Sequence, residues 1–502
     1  MKTDARECGV LLPVSSLPSR YGIGCFDRSA YKFVDFLAEA GQNCWQILPL
    51  GPTGYGDSPY QSFSTFAGNP YFISLEDLIE EGVLTRRECR SVSFGNDPSR
   101  IDYAKLYEGR FGLLRKAYER SDISKNQDFQ HFLEEEGFWL KDYALFMAVK
   151  GRFGGAPWTE WAEDIRKRWQ NALDYYRREL YFDIEFQEYM QFKFYQQWKK
   201  LKQYANGVGI RIIGDIPIYV AMDSADTWAS PWLFRLDENN RPVQVAGCPP
   251  DGFAKDGQIW GNPLYNWEVH RQSGFSWWLK RMQHCFKIYD VLRIDHFRGF
   301  DEYYVIPFGD KTAANGWWEK GPGMDLFRTI SQQLGEKEII AEDLGYVTES
   351  VRQLVRDSGF PNMKVLEFAF DSRDTGDAAD YLPHNYERNC VVYTGTHDNE
   401  TLTGWLKGLP EEEKDKVRRY LNREEAPDDE LCANMVCLAL MSVAKLCIIP
   451  VQDYLGLDNG ARINTPSTSG KNWKWRMKEG QTTPDLAEKM RLLASIYGRK
   501  RP

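Results

Sequence analysis

VLRIDHFRGF, residues 291–300, is an apolar run that carries three ionisable side chains, Arg293, Asp295 and His296. Leu292 and Ile294 alternate with Arg293 and Asp295, so a strand here turns the charged pair to one face and the apolar pair to the other. Burying charge is expensive unless the group is paired or used. A strand that is apolar along its length and charged at its end fits a parallel barrel whose strand C-termini carry the chemistry.

The same pattern recurs along the chain. Short β-branched runs that end in polar or glycine-rich sequence occur at 9–17, 44–51, 210–220, 291–299, 338–347, 363–371, 390–400 and 446–456. Each reads as a strand buried on both faces. Helical patterns lie between most of them, as in YKFVDFLAEAG (31–41), QFKFYQQWKKLKQYANG (191–207) and VTESVRQLVRDSG (347–359), the last with Gly359 as the expected C′ residue. Eight strands alternating with helices predict an α/β fold, a (β/α)8 TIM barrel, rather than a doubly wound sheet.

The spacing is uneven. Residues 52–205 and 221–289 are too long for simple connections and predict inserted subdomains, mainly helical, over the C-terminal face of one barrel domain that spans 1–502. The stretch 372–389, by contrast, shows no clear helix. GVGIRIIG (207–214) resembles a dinucleotide-binding loop only superficially, because its glycines precede the strand instead of following it.

Bulk composition excludes several classes. The net charge of −9 and the lack of a basic tract argue against nucleic acid. Nothing approaches the roughly eighteen apolar residues of a membrane span, and the N-terminus has no long apolar segment of the signal-peptide kind. Ten cysteines without a CxxC pair read as small buried hydrophobes of a reducing, cytoplasmic compartment. Six histidines without HExxH point to no metal. With 17 Trp, 27 Tyr and 28 Phe, many of them beside Gly, Asn, Asp and Ser, the chain suits flat polar ligands with apolar faces, such as sugars.

Acids recur at the same end of strand after strand: Asp215 in the third, Asp295 in the fourth, Glu342 and Asp343 in the fifth, Asp371 in the sixth, Asp398 and Glu400 in the seventh, Asp453 in the eighth. One such acid could belong to an ion-pair network around the barrel rim. Their recurrence favours function for Asp295, Glu342 and Asp398, while both readings stay open for Asp343, Asp371 and Asp453, and Asp215 lies between. His296 and His397 read as contacts to sugar hydroxyls. Several carboxylates with no metal motif, nucleotide loop or activated serine suit glycosidic-bond chemistry, with one carboxylate as nucleophile and one carboxylic acid as proton donor. Arg293 is expected to keep Asp295 ionised. Glu342, after the apolar Ile339, Ile340 and Ala341, is expected to hold a raised pKa and act as acid and then base.

At these residues the sequence resembles the amylomaltase, or 4-α-glucanotransferase, family of the α-amylase superfamily. The resemblance runs through GVLLPVSSLPSRYGIG (9–24), QILPLGPTGYGDSPYQSFSTFAGNPYF (46–72), GDIPIYVAMDSADTW (214–228), GCPPDGFAKDGQIWGNPLYNW (247–267), LRIDHFRGF, AEDLG, GTHDNET and VQDYLGLDNGARINTPSTSGKNWKWR (451–476). It implies Asp295 as nucleophile, Glu342 as general acid/base and Asp398 as the acid that stabilises the transition state. It further implies substrate contacts from Arg293, His397, Asp215, Tyr60 and its neighbour Ser58, from Gln258, Trp260 and Asp251 on one lid, and from Asn464 on the opposite lid.

Where the superfamily's hydrolases commonly follow the third-strand aspartate with an Asn-His pair that serves calcium, this chain has Ile216, Pro217, Ile218 and Tyr219, so no calcium and no other cofactor is expected. About 50 residues follow the last strand, too few for a C-terminal β-domain. Both departures fit the transferase type. The expected partners are α-1,4-glucans and maltooligosaccharides, with glucose as acceptor. A glucan hydrolase on the same scaffold and a non-catalytic glucan-binding protein are the alternatives.

Overall fold

The computed structural model describes residues 5–54, 56–250, 255–345, 347–371 and 378–500. Twelve strands occur among them: β1 (Glu7–Leu11), β2 (Cys44–Gln46), β3 (Arg211–Pro217), β4 (Gln244–Cys248), β5 (Gln258–Pro263), β6 (Val291–Asp295), β7 (Glu302–Pro307), β8 (Trp317–Lys320), β9 (Ile339–Ala341), β10 (Asn362–Val365), β11 (Cys390–Tyr393) and β12 (Leu446–Pro450). Eight of them close a parallel barrel in the order β1-β12-β11-β10-β9-β6-β3-β2, one for each predicted run. The ladders are shorter than the runs because each polar or glycine-rich end leaves the sheet to form the barrel mouth.

The strand sequences explain the closure. β1, β2, β9, β11 and β12 are buried at every position, as their β-branched composition and position between a packed interior and a helical shell require. Gly9 lets β1 lie close to its neighbours. A Cβ there would stand 2.5 Å from the Cys44 carbonyl oxygen and 2.9 Å from Ile448 Cδ1.

The shell begins with helix Arg28–Glu39, whose N-terminus is capped by the Asp27 side chain accepting from Ser29 N–H, and which buries Phe33, Val34 and Leu37. Helix Tyr181–Gly207 starts ten residues before the predicted 191 and delivers the chain into β3. Helix Glu349–Ser358 ends, as predicted, at Gly359 in the left-handed conformation, φ 70°. The stretch before β11 carries two short helical turns among its described residues, Ala378–Tyr381 and Pro383–Asn385.

Two layers are added to the barrel. The first, within 52–205, is helical, with Tyr103–Arg120 and Gly137–Arg152 as its longest members, packed against the shell helix Tyr181–Gly207. Its core joins Phe66, Trp139, Phe146, Trp158 and Trp161 to Trp228 from the second insertion. Much of the aromatic content is therefore core. Trp45, Trp158, Trp198, Trp228, Trp278 and Trp405 are all fully buried.

The second layer holds a four-stranded antiparallel sheet, β5-β4-β7-β8, built from the β3–β6 and β6–β9 connections. The sheet gives the second insertion a mixed character and draws β7 and β8 from the following connection. Its partners β4 and β7 lie on opposite sides of β6 in sequence, so no local hairpin signal marks the pairing. The segment after β12 contains helices Val451–Tyr454 and Pro484–Ile496. No helix among the described residues is long and apolar enough to cross a membrane. Eight of the ten cysteines are buried and all are free thiols.

Candidate active site

β3 and β6 pair in register, Asp215 beside Arg293 and Pro217 beside Asp295. The alternation along β6 turns Arg293 and Asp295 to the barrel interior, where one guanidinium nitrogen serves both acids. Arg293 Nη1 donates to Asp215 Oδ1 and Oδ2 at 2.8 and 2.7 Å and to Asp295 Oδ1 at 3.1 Å. Asp215 is fully buried and Arg293 is 3% exposed, whereas the Asp295 side chain is 29% exposed at the mouth. The Tyr60 hydroxyl donates to Asp215 Oδ2 at 2.8 Å. Asp215 thus takes most of the arginine's charge and leaves Asp295 partly uncompensated.

Glu342 follows β9 directly. Its carboxylate accepts from two backbone amides, His296 N–H to Oε2 at 2.6 Å and Leu344 N–H to Oε1 at 2.8 Å. The first donor is aimed by a left-handed backbone at His296, φ 56°, a conformation uncommon outside glycine and found where surrounding structure enforces it. The same turn brings Phe297 N–H to the Glu342 carbonyl at 2.9 Å. Each carboxylate oxygen keeps a second lone pair on which a proton can sit.

Burial raises the pKa of Glu342, with Arg293 and the two amides opposing. Burial also raises Asp295 well above the ordinary carboxylate range, Arg293 opposing and Glu342, Asp215 and Asp398 adding to the rise. The expected effect of Arg293, favouring the ionised form of Asp295, is present and opposes this rise. Arg293 is bound more closely to Asp215, however, and desolvation with three neighbouring carboxylates outweighs it. Asp295 and Glu342 therefore share a site that disfavours two simultaneous negative charges.

The third acid comes from the loop after β11. Asp398 accepts from Asn464 Nδ2 at 2.6 Å and lies 3.3 Å from His397 Nε2, with its side chain 42% exposed. Burial lowers the His397 pKa, Asp398 opposing. The His397 ring stacks on Tyr60, centroids 5.2 Å apart and planes 15° apart, and Trp473 leans on both. These rings build an aromatic wall beside the acids. Facing it, Trp260 on β5 meets His296 edge-on at 4.8 Å and approaches Tyr219 at 6.2 Å. Gln258 accepts from the Trp260 indole at 3.1 Å. His296 is held neutral, its pKa lowered to about 3 by burial and Arg298.

The remaining predicted residues fall as follows. Ser58 Oγ accepts from Tyr60 N–H at 3.3 Å and fixes that turn. Asp371 accepts from the Trp405 indole at 3.0 Å. Asp251 lies outside the described residues. Of the acids left open, Asp343 binds Met363 N–H and the Asn362 amide, and Asp453 binds Thr394 Oγ1 and Leu402 N–H. These hydrogen bonds tie barrel connections together. Sequence reasoning did not single out Trp473, Tyr219, Arg462 or the buried Glu367. The first three stand inside recognisable motifs, but only their neighbours in space mark them. Among the described residues no three His, Cys, Asp or Glu side chains are grouped to hold a metal ion.

An eight-stranded parallel barrel with an arginine-linked pair of acids, a separately held glutamate and an aromatic wall at its mouth defines a (β/α)8 enzyme of the glycosidic-bond class. The model of the 4-alpha-glucanotransferase family matches residues 12–483. The chain is 48% identical to the 4-alpha-glucanotransferase of Clostridium butyricum, covering 97% of this chain and 99% of that one. It is 46% identical to that of Thermus thermophilus, covering 98% and 99%. Among solved structures, amylomaltase from Streptococcus agalactiae in complex with acarbose superposes with a TM-score of 0.94 at 43% identity, over 99% of this chain and 100% of that one. The chain belongs to the 4-alpha-glucanotransferase family and is an enzyme of that activity.

Proposed function

We propose that the chain moves a segment of an α-1,4-glucan to the 4-hydroxyl of a second glucan or of glucose by two displacements at one anomeric carbon. In the first, Glu342 gives its proton to the glycosidic oxygen. The C1–O bond breaks and a carboxylate oxygen of Asp295 bonds to C1. In the second, the acceptor hydroxyl attacks C1, Glu342 takes its proton, and the Asp295–C1 bond breaks, so the α-configuration is retained. Asp398 and His397 bind sugar hydroxyls and favour the oxocarbenium-like transition state. Tyr60, with Trp473 behind it, offers a ring to the apolar face of a sugar, as does Trp260 across the cleft.

The observation that carries this reading is the unequal sharing of Arg293. One acid is fully paired and buried, and the other is left half-compensated at the mouth beside an amide-held glutamate. Only the second acid is free to trade its proton and charge with a substrate. Asp215 and Tyr60 then act to hold Arg293 in place.

Transfer requires that the glycosyl-enzyme survive water. Water outnumbers a millimolar acceptor roughly 10⁴-fold, so parity demands about 5–6 kcal/mol of discrimination. An acceptor sugar that is stacked and oriented in a covered cleft supplies it through positioning and exclusion of water. Purified protein incubated with maltotriose tests the reading. Longer maltooligosaccharides plus glucose, with a flat reducing-end count, are expected. A reducing-end count that climbs with turnover identifies a hydrolase instead.

A further inference from the structure

Arg462 sits between the short turn Asn459–Ala461 and the loop that carries Asn464. Its guanidinium donates from Nη2 to the carbonyl oxygen of Asp398 at 2.6 Å and from Nε to the carbonyl oxygen of Asn464 at 2.7 Å. These acceptors belong to different elements. Asp398 rides on the loop after β11, and Asn464 on the loop beyond β12. Asn464 returns the contact twice, through its backbone N–H to the His397 carbonyl at 3.1 Å and through Nδ2 to Asp398 Oδ1 at 2.6 Å.

Three of these four hydrogen bonds cross between the two loops, one of them from Arg462, whose second bond braces its own loop at Asn464. A charged donor on a carbonyl is stronger than a neutral one. The planar fork of arginine reaches two separate carbonyls with its nitrogens fixed relative to each other, which a lysine ammonium does not reproduce. The Asp398 carboxylate is 42% exposed, and its direction is set by its backbone, by the Asn464 amide and by His397 Nε2 at 3.3 Å. Arg462 fixes the first and orients the carrier of the second.

We propose that Arg462 is a positioning residue for the transfer reaction: it clamps the Asn464 loop to the Asp398 loop so that the third acid meets the reacting sugar in one orientation. The proposal rests on the role given to Asp398 above. Misplacing a transition-state contact while leaving the ground-state stacking surface intact lowers kcat and spares KM.

The test compares wild type, Asp398→Asn, Arg462→Lys, Arg462→Gln, Asn464→Ala and the two Arg462/Asn464 double variants. The readouts are kcat and KM for maltotriose disproportionation and the thermal midpoint. Arg462→Lys and Arg462→Gln are expected to lower kcat about 10- to 100-fold with KM within about threefold of wild type. Each double variant is expected to fall short of the product of its two single losses by about tenfold, because both residues act through Asp398. Wild-type kcat in both Arg462 variants, or losses that multiply independently with Asn464→Ala in both pairs, overturns the proposal. If Arg462→Lys is too unstable to assay, the Arg462→Gln pair decides alone. Retained activity in Asp398→Asn overturns the reading of Asp398 itself. An inactive Asp398→Asn together with uncoupled Arg462 variants overturns only the clamp.

Discussion

The barrel holds an arginine between two acids at each of its ends. At the mouth, Arg293 on β6 bridges Asp215 and Asp295. At the opposite end, Arg211 on β3 bridges Glu7 and Glu338, the latter at 2.6 Å. The composition is the same and the outcome differs. Burial pushes Glu338 up, but neighbouring positive charge, that of Arg211 foremost, outweighs it and the carboxyl ends below its usual range. At the mouth burial wins, and Asp295 ends above its range. Arg211 gives each of its acids a separate nitrogen, whereas Arg293 divides one nitrogen between two acids, with Glu342 and Asp398 adding negative charge nearby. A satisfied cluster holds strands together. An under-neutralised one stores charge that a substrate can use.

Removing the nucleophile separates the two ends most sharply. Asp295→Asn is expected to lower kcat/KM for maltotriose by about 10⁴-fold or more, whereas Glu338→Gln leaves kcat/KM within about twofold of wild type. Equal losses in the two variants, measured by initial product rates, would erase the functional distinction. Glu342→Gln comes next, with a loss of about 10²–10⁴-fold. That loss should shrink strongly on a glucosyl donor whose leaving group needs no proton. A leaving-group-independent loss would remove Glu342 from the acid role.

The stability readout should run the other way. Breaking the lower cluster with Arg211→Met is expected to cost about 2–4 kcal/mol in denaturant unfolding and to spare kcat. Asp295→Asn, by contrast, relieves a strained ionisation and should raise the thermal midpoint by about 1–3 °C.

The smallest effects lie in the pH dependence. Asp295 must be ionised and Glu342 protonated, and both lie above their ordinary values. The acid limb of kcat/KM should therefore fall at higher pH than a free aspartate's ionisation, and the alkaline limb at higher pH than a free glutamate's. For stability, Glu338 contributes above its unfolded pKa and loses that contribution as pH falls through its lowered folded pKa. Asp295 carries the opposite sign. Its penalty grows as pH rises through its unfolded pKa and levels off above its raised folded value. The thermal-midpoint differences of both variants from wild type should therefore vanish at low pH, from opposite sides.

How much of this was legible before folding differs by residue. Arg293 and Asp295 are two apart on a strand, so their shared face follows from the pleat alone. Glu342 is equally plain, an acid after three apolar β-formers. Asp343 and Asp453 carry the same signal, yet their carboxylates are occupied by Asn362 and Met363 of β10 in one case and by Thr394 and Leu402 in the other, donors that only the fold brings near. The small sheet escaped notice because β4 and β7 meet only after the chain has passed through β6.

What the amino-acid sequence determined by itself is what short-range periodicity and motif chemistry encode: eight buried strands, the helices between them, the end of the barrel that bears the acids, and the family resemblance. What the tertiary structure alone decided is how charge is divided. Whether an aspartate shares its arginine, how deeply it is buried and which backbone amides reach a glutamate all depend on contacts between residues far apart in the chain. Electrostatic energy follows distance and desolvation, and neither is a property of sequence spacing.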